Sequence, residues 1–163
     1  MKFAELYACQ GSFSKSAVAT GGAVAAYAAE CNTACHPLLQ AINPEIYIDH
    51  DAESFTAKTA KRFKIEVAAA GTSYTSFSGA NDFAQGLDEP SGFGQQYPDL
   101  GTKFSAPYGG KGIAIFVAEN VNGVHSCKDG KKSAHDHLVA NTTLFWCRVF
   151  KVRSSEICSP LSG

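Results

Sequence analysis

Short apolar segments alternate with polar stretches that contain Gly and Pro along most of the chain. Some segments have Ala, Val, Phe and Lys at helical spacing, and others are short runs of β-branched and aromatic residues. The pattern predicts helices over residues 14–31, 51–63 and 79–87 and strands over residues 65–69, 112–118 and 144–152. It also predicts long loops over residues 88–108 and 119–141, and long ordered loops often bind ligands or cover a site.

Length and composition set the first limits on the class of protein. The chain has 163 residues, of which 45% are hydrophobic and 18% charged, so we expect one domain over 1–163 with its own core. The net charge of -1 provides no basic field, so we expect no nucleic-acid partner. Apolar runs fall short of the length of about 20 residues that spans a bilayer, so we expect no membrane insertion.

Cysteine content and small residues favour a secreted protein over a cytoplasmic one. An even number of cysteines in a small domain permits disulfides and leaves their pairing open. Cys31, Cys35 and His36 could also form a thiol or metal site, but the favoured interpretation is a pair packed on one helix face or one disulfide each to distant partners. The six cysteines are Cys9, Cys31, Cys35, Cys127, Cys147 and Cys158.

Three short motifs follow one another in the second half of the chain. The first is the turn Ala70-Gly71-Thr72-Ser73, followed by a segment over 81–87 that ends in Gly-Leu. The second runs from Tyr108 to Asn120, where a Gly-rich turn opens into an apolar strand. The third is the apolar strand 144–152, which leads to Glu156. In order and spacing, these motifs resemble the catalytic domain of ADP-ribosyltransferases of the poly(ADP-ribose) polymerase type, and the resemblance covers roughly residues 40–158.

The resemblance implies a fold, a substrate and a set of site residues. The implied fold is α+β, with two packed, mainly antiparallel sheets and peripheral helices. The implied reaction is transfer of ADP-ribose from NAD⁺ to a protein or other nucleophile. Glu156 would be the catalytic carboxylate that orients the ribose, and Gly71 and Ser73 would hold the nicotinamide amide. Tyr108 and Phe116 would shape the cofactor pocket.

Two departures from the family pattern weaken the expected activity. Ala70 stands where the family has a His that binds the ribose of NAD⁺. Ala114 aligns with the family's nicotinamide-stacking Tyr, unless a shifted register brings Ile115 or Phe116 there. A divergent, weak or inactive transferase is therefore expected. The alternatives are a non-catalytic binding protein on the same fold and a secreted, disulfide-stabilised effector or structural protein of unrelated fold.

A second candidate site lies in the predicted loop over 119–141. His125, Cys127, His135 and His137 are close together in sequence, and imidazole and thiolate groups suit tetrahedral zinc. Some relatives of the resembled family carry a zinc-binding insertion in this segment. The competing interpretation is a loop with solvated histidines. The acceptor and the oligomeric state stay open at this level.

Overall fold

The computed structural model describes residues 1–78, 85–88, 92–105, 113–126, 128–129 and 131–143. Strands and helices alternate through most of this part of the chain. Short 3₁₀ turns occur at Thr33–Cys35, Ala52–Ser54 and Gly86–Asp88. The elements are β1 (Lys2–Leu6), α1 (Ser12–Ala19), β2 (Val24–Ala29), α2 (His36–Ile42), β3 (Tyr47–Asp49), α3 (Ala57–Phe63), β4 (Val67–Gly71), α4 (Phe93–Ser105), β5 (Ile115–Glu119), α5 (Gly123–Ser126), β6 (Lys128–Asp129), β7 (Lys132–Ser133) and α6 (Ala134–Thr143).

Five parallel strands form the main sheet, in the order β3-β2-β1-β4-β5. In the centre, Phe3 of β1 is in register with Ala25 of β2 and with Val67 of β4. The strands β6 and β7 form a separate antiparallel pair. A parallel sheet with helical crossovers is a Rossmann-like α/β fold. The predicted α+β fold with two packed antiparallel sheets is therefore wrong, because the strands of the main sheet are parallel and are joined through helices.

Small side chains allow both faces of the sheet to be covered. β4 reads Val-Ala-Ala-Ala-Gly, and Ala68, Ala69 and Ala70 are all buried. Strands that are buried on both faces lose the alternation of apolar and polar residues, which is typical of parallel sheets. Burial of each large apolar side chain against such a sheet contributes about 1.5–3 kcal/mol to stability.

The two core clusters differ in character. One cluster is aromatic: the Tyr27 ring lies 5.2 Å from Phe55, and Phe104 lies 6.1 Å from Phe55 and 5.1 Å from Phe116. The other cluster is aliphatic and centres on Leu39, which is fully buried. Because the aromatic cluster connects β2, β5 and α4, it fixes the helix that follows β4 against the sheet.

The predicted helix over 14–31 is wrong in its second half. The chain forms α1 and then β2, with Gly21 in a left-handed turn at φ 72° between them. The sequence of β2 is Val-Ala-Ala-Tyr-Ala-Ala, and Ala favours helix in isolation. Pairing with β1 and β3 on both sides outweighs this local preference.

The two predicted long loops are also wrong. Residues 88–108 include α4, although this helix contains Pro98 and two glycines. The buried residues Tyr97, Leu100 and Phe104 recur at helical spacing and form its inner face. Residues 119–141 include α5 and most of α6.

The remaining predicted elements are confirmed in part. The predicted strands 65–69 and 112–118 correspond to β4 and β5. β4 begins and ends two residues later than predicted, and β5 begins three residues later and ends one residue later. The predicted helix over 51–63 is a 3₁₀ turn followed by α3. Most of the predicted helix over 79–87 and the whole predicted strand over 144–152 lie outside the described residues. In the described part, none of the helices has the length and apolar character needed to cross a membrane.

Replacement of Gly123 by Ala is expected to destabilise the protein by about 1–3 kcal/mol, the usual range for overpacking. A Cβ at Gly123 would clash with the backbone carbonyl of Phe77, so α5 would have to move away from the loop after β4. Gly22→Ala is the matched control, since its Cβ would meet its nearest atom, Thr20 Oγ1, at 3.7 Å. Urea unfolding measures both variants. Equal midpoints for the two would contradict this packing.

Candidate functional site

The carboxyl ends of all five parallel strands lie at the same edge of the sheet. The winding direction reverses between β1 and β4, because β1 leads to β2 and β3 on one side whereas β4 leads to β5 on the other. In open α/β sheets, ligands bind in the crevice that this reversal opens. The segment after β1, the residue after β2 and the segments after β4 and β5 therefore define the candidate site.

A buried carboxylate fixes the start of α1. Glu5 lies in β1 with only 2% of its surface exposed. It accepts hydrogen bonds from the backbone N–H of Phe13 at 3.1 Å and from that of Ser14 at 2.7 Å. Burial raises the pKa of Glu5, while the hydrogen bonds from Ser14 and Phe13 act in the opposite direction. Two N–H groups in the first turn of α1 are therefore hydrogen-bonded to an acceptor inside the protein.

The segment between β1 and α1 is a tight turn closed by a 2.7 Å hydrogen bond from Gly11 N–H to the Ala8 carbonyl. Tyr7, Cys9 and Gly11 have positive φ angles of 56°, 46° and 72°. Gly11 has no room for a side chain, since a Cβ there would overlap the side chains of Ile42 and Leu39 in α2. The turn is therefore held closely against α2.

Glu30 is the first residue after β2, and its side chain points toward this turn. It accepts hydrogen bonds from Cys9 N–H at 2.6 Å and from Asn32 N–H at 2.7 Å. The Cys31 thiol is a weaker donor at 3.7 Å. Glu30 is 9% exposed, and its carboxylate joins the turn after β1 to the loop after β2.

Asp49 ends β3 and is bound by internal donors. The Ser54 hydroxyl donates to Asp49 Oδ2 at 2.7 Å, Tyr27 OH donates to the same atom at 3.2 Å, and Asp51 N–H donates to Oδ1 at 3.3 Å. Desolvation by itself would raise the pKa of Asp49, but these hydrogen bonds outweigh it, so the pKa lies below its ordinary value. Asp49 is therefore mainly a structural acceptor.

The loops after β4 and β5 are joined by Asn120. Its Nδ2 donates to Thr72 Oγ1 at 2.9 Å and lies 3.4 Å from the Ser73 carbonyl. Gly71 allows a close approach, since a Cβ there would meet Glu119 Oε2 at 3.4 Å. Glu119 is exposed and lies beside the reversal point of the sheet. Tyr74 extends into solvent after β4, with 60% of its surface exposed.

The charge at this edge is mainly negative. Glu30, Asp49 and Glu119 lie at strand ends, and Glu53 accepts a 3.4 Å hydrogen bond from Tyr7 OH. Lys103 of α4 forms an ion pair with Glu53 and is engaged there. A cationic ligand therefore fits this edge better than a polyanionic ligand.

The structure describes three of the five residues predicted to bind or transform NAD⁺. Gly71 and Ser73 lie at the carboxyl end of β4, beside the crevice. Phe116 instead is half-buried and packs against the aromatic core, with its ring 5.1 Å from that of Phe104. Tyr108 and Glu156 lie outside the described residues, so their convergence with Gly71 stays a prediction.

The predicted zinc ligands fall on two helices. His125 in α5 and His135 in α6 have ring centroids 4.4 Å apart, and the Tyr97 hydroxyl lies 3.4 Å from His135 Nδ1. His137 lies two residues further along α6, and Cys127 lies outside the described residues. Within the described part of the chain, no group of three or more His, Cys, Asp or Glu side chains has an arrangement that could hold a metal ion.

Comparison with solved structures supports this description of the fold. The crystal structure of the S. pombe Dnmt2 methyltransferase superimposes with a TM-score of 0.62 at 15% sequence identity. The match covers 86% of this chain and 39% of the methyltransferase chain, so this chain spans well under half of that protein. At this identity the likeness establishes the fold. No protein-family model and no curated protein matches the sequence.

The predicted relationship to ADP-ribosyltransferases is therefore wrong. The three motifs fit that family by local sequence, but Gly71 ends a parallel strand of a Rossmann-like sheet. NAD⁺-dependent transfer of ADP-ribose loses its support, as does a binding protein on the same fold. A disulfide-stabilised secreted protein does not fit either, because Cys9, Cys31 and Cys35 are free thiols in the described part.

The most informative site residues, Glu5 and Glu30, were missed. Glu5 interrupts the apolar residues Phe3, Ala4 and Leu6 of β1, and Glu30 follows a short apolar segment about 20 residues after Gly11. An acidic residue at this distance from a turn after a first strand is typical of nucleoside-binding α/β folds. The predicted helix over residues 14–31 hides this spacing, because it places Glu30 inside a helix and not after a strand.

Glu5→Ala is expected to lower the free energy of unfolding by about 2–6 kcal/mol, because one buried and one partly buried N–H group of α1 lose their acceptor at about 1–3 kcal/mol each. Glu5→Gln retains one acceptor oxygen and should lie between the wild type and Glu5→Ala. Urea unfolding followed by circular dichroism measures the series. Unchanged stability of Glu5→Ala would show that this carboxylate does not anchor the helix.

Asp49 is expected to make stability depend on acid pH. Because its pKa is lower in the folded protein, its contribution is present above the unfolded value of about 3.9 and is lost as the pH falls through the folded value. Ser54→Ala removes the shortest hydrogen bond to Asp49 and should reduce the loss of stability between pH 5 and pH 3. Unfolding midpoints at several pH values measure this, and identical profiles would refute it.

Proposed function

We propose that this chain is an S-adenosylmethionine-binding domain of a methyltransferase and that the ligand occupies the crevice between the carboxyl ends of β1 and β4. The observation that carries the proposal is the pair of carboxylates at the first two strands. Glu5 closes the start of α1, and Glu30 presents an acceptor at the crevice. The likeness of the fold to a methyltransferase supports S-adenosylmethionine as the ligand of these two groups.

Glu5 argues against a dinucleotide in this crevice. In dinucleotide-binding folds the pyrophosphate lies on free N–H groups at the N-terminus of the first helix. Here the N–H groups of Phe13 and Ser14 are bound to a buried carboxylate. A pyrophosphate would meet an occupied helix end and a negative charge, whereas a cofactor without phosphate groups avoids both.

Glu30 suits the ribose of an adenosyl ligand. Its two oxygens accept bonds from Cys9 N–H and Asn32 N–H and retain lone pairs for further donors. The two ribose hydroxyls are neighbouring donors that a carboxylate at the end of a second strand can accept together. Asn32 and Cys9 hold the carboxylate in place, so the acceptor is pre-organised before the ligand arrives.

The acidic edge suits the charge of the ligand. When bound, S-adenosylmethionine supplies an electrophilic methyl group on a positively charged sulfonium. Glu30 and Glu119 lie at the strand ends on the two sides of the reversal point and provide a complementary negative potential. The same carboxylates would repel the phosphates of NAD⁺.

The methyl acceptor is proposed to approach over β4 and β5. Transfer to an N–H, O–H or C–H nucleophile releases one proton, which an exposed carboxylate next to the crevice can accept. Glu119 is in this position, and Asn120 keeps the two loops together through Thr72. The exposed ring of Tyr74 lies on the same side and offers an apolar contact to an acceptor.

Glu30→Gln is expected to weaken binding of S-adenosylmethionine by roughly ten- to a hundredfold. This range corresponds to the loss of a charge-assisted hydrogen bond of about 1.5–3 kcal/mol. Isothermal titration calorimetry measures the affinity of the wild type and the variant, and thermal unfolding verifies that the variant is folded.

Glu45→Gln is the matched control, because Glu45 is exposed and precedes β3 at the opposite edge of the sheet. It should bind S-adenosylmethionine as the wild type does, and NAD⁺ should bind to none of the three proteins. Absence of S-adenosylmethionine binding by the folded wild type would refute the proposed function. An affinity of Glu30→Gln equal to that of Glu45→Gln would refute the role of Glu30.

A further inference from the structure

Two thiols meet at the turn that follows β1. Cys9 is exposed in this turn, and Cys35 is buried at the start of α2. Their Sγ atoms are 4.0 Å apart, although the residues are far apart in sequence. A disulfide requires about 2.05 Å between the sulfurs, so the atoms must approach each other by about 2 Å. Rotation of the exposed Cys9 side chain and a small shift of its backbone can supply this movement.

The backbone at Cys9 is strained in a way that a structural role does not require. Cys9 is the second residue of the turn closed by Gly11 N–H and the Ala8 carbonyl, with φ at 46°. Gly adopts this conformation at no steric cost, whereas a side chain makes it unfavourable. Strain of this type concentrates at functional positions. A glycine at this position would therefore stabilise the turn, whereas the thiol stands there at a cost in backbone strain.

The two sulfurs differ in accessibility. Burial raises the pKa of the Cys35 thiol, and the neighbouring Cys9 thiol and Glu30 carboxylate add to this effect. Cys35 therefore stays protonated inside the fold, and Cys9 is the sulfur that meets a dissolved oxidant. An exposed thiol with a second thiol beside it is the usual arrangement of a redox-sensitive pair.

We propose that Cys9 and Cys35 form a reversible disulfide when a peroxide is present, and that this bond controls the ligand crevice. The deprotonated Cys9 sulfur attacks the peroxide O–O bond, which gives a sulfenic acid and releases hydroxide. The Cys35 sulfur then displaces the hydroxyl group, which leaves as water with the Cys35 proton, and the proton that Cys9 lost on deprotonation neutralises the hydroxide. The two cysteines lose two electrons and two protons in total, and hydrogen peroxide is reduced to two molecules of water.

The bond affects the crevice through Glu30. Cys9 N–H donates to Glu30 Oε2 at 2.6 Å, so the shift of the Cys9 backbone that accompanies the bond alters this hydrogen bond or displaces the carboxylate. If the proposed function holds, Glu30 is the acceptor for the ribose, and its displacement weakens binding of S-adenosylmethionine. The reduced protein then binds S-adenosylmethionine, and the oxidised protein binds it more weakly. This differs from a structural disulfide, since both sulfurs are free thiols in the structure.

The experiment exposes four proteins to hydrogen peroxide, blocks the remaining thiols with iodoacetamide and maps peptides without reduction. A linked peptide that joins Cys9 to Cys35 is expected for the wild type and for the control Cys31→Ser, which retains both sulfurs. It should be absent from Cys35→Ser and from Cys9→Gly. The glycine variant removes the thiol and suits the positive φ, so we expect it to fold at least as stably as the wild type.

Two readouts separate this proposal from the proposed function. Calorimetry should show that oxidation lowers the affinity of the wild type for S-adenosylmethionine at least tenfold, that dithiothreitol restores it, and that Cys9→Gly and Cys35→Ser do not respond. Hydrogen exchange at residues 7–11 should slow in the linked protein, and this measurement needs no ligand.

If the reduced wild type binds no S-adenosylmethionine, the proposed function fails while peptide mapping and exchange still decide on the disulfide. Absence of the linked peptide from the oxidised wild type, or unchanged exchange and affinity in the linked protein, would overturn the proposal.

Discussion

The buried carboxylate of Glu5 is the constraint on which the ligand crevice depends. It lies in the central strand and accepts two N–H groups from the first turn of α1. A carboxylate with so little solvent contact is costly unless it is bound by donors, and α1 supplies them. Strand, turn and helix are therefore fixed as a unit. The positive φ angles of the turn follow from this restraint, because the chain must reverse between β1 and α1 within a few residues.

A second carboxylate, Glu30, positions the next loop of the crevice. Glu30 holds Cys9 and Asn32, so the loop after β2 is positioned by the turn that Glu5 has already fixed. Asn120 performs the corresponding task between β4 and β5. The crevice therefore has two preformed walls, each held by polar side chains that bind backbone groups or a neighbouring loop. Such walls would suit the proposed ligand, whose orientation must be defined before a methyl group is transferred.

The sequence predicts part of this architecture and misleads in other parts for physical reasons. Short apolar strands at β4 and β5 were recognisable, because β-branched and apolar runs end at Gly or a polar residue. β2 was not, because an Ala-rich strand has helical propensity and becomes a strand only through its neighbours in the sheet. α4 was hidden by Pro98, although Tyr97, Leu100 and Phe104 already marked its buried face. The resemblance to another family came from short motifs around Gly71 and Asn120, and such motifs do not carry the direction of the strands. Glu5 could have been found from its place within the first apolar strand. Glu30 could have been found from its place directly after the second strand, but only once β2 was separated from α1.

The central pairing of the sheet also determines how the chain can fold. β1 pairs with β2 across a short helical connection, but β1 and β4 bring together residues more than sixty positions apart. Closing so long a segment costs more conformational entropy than closing the β1-α1-β2 connection. We therefore expect the first three strands to assemble early as a local nucleus and β4 to dock onto β1 late, in the step that limits the rate. The crevice lies where β4 pairs with β1, so it forms only when this last pairing of the sheet is complete.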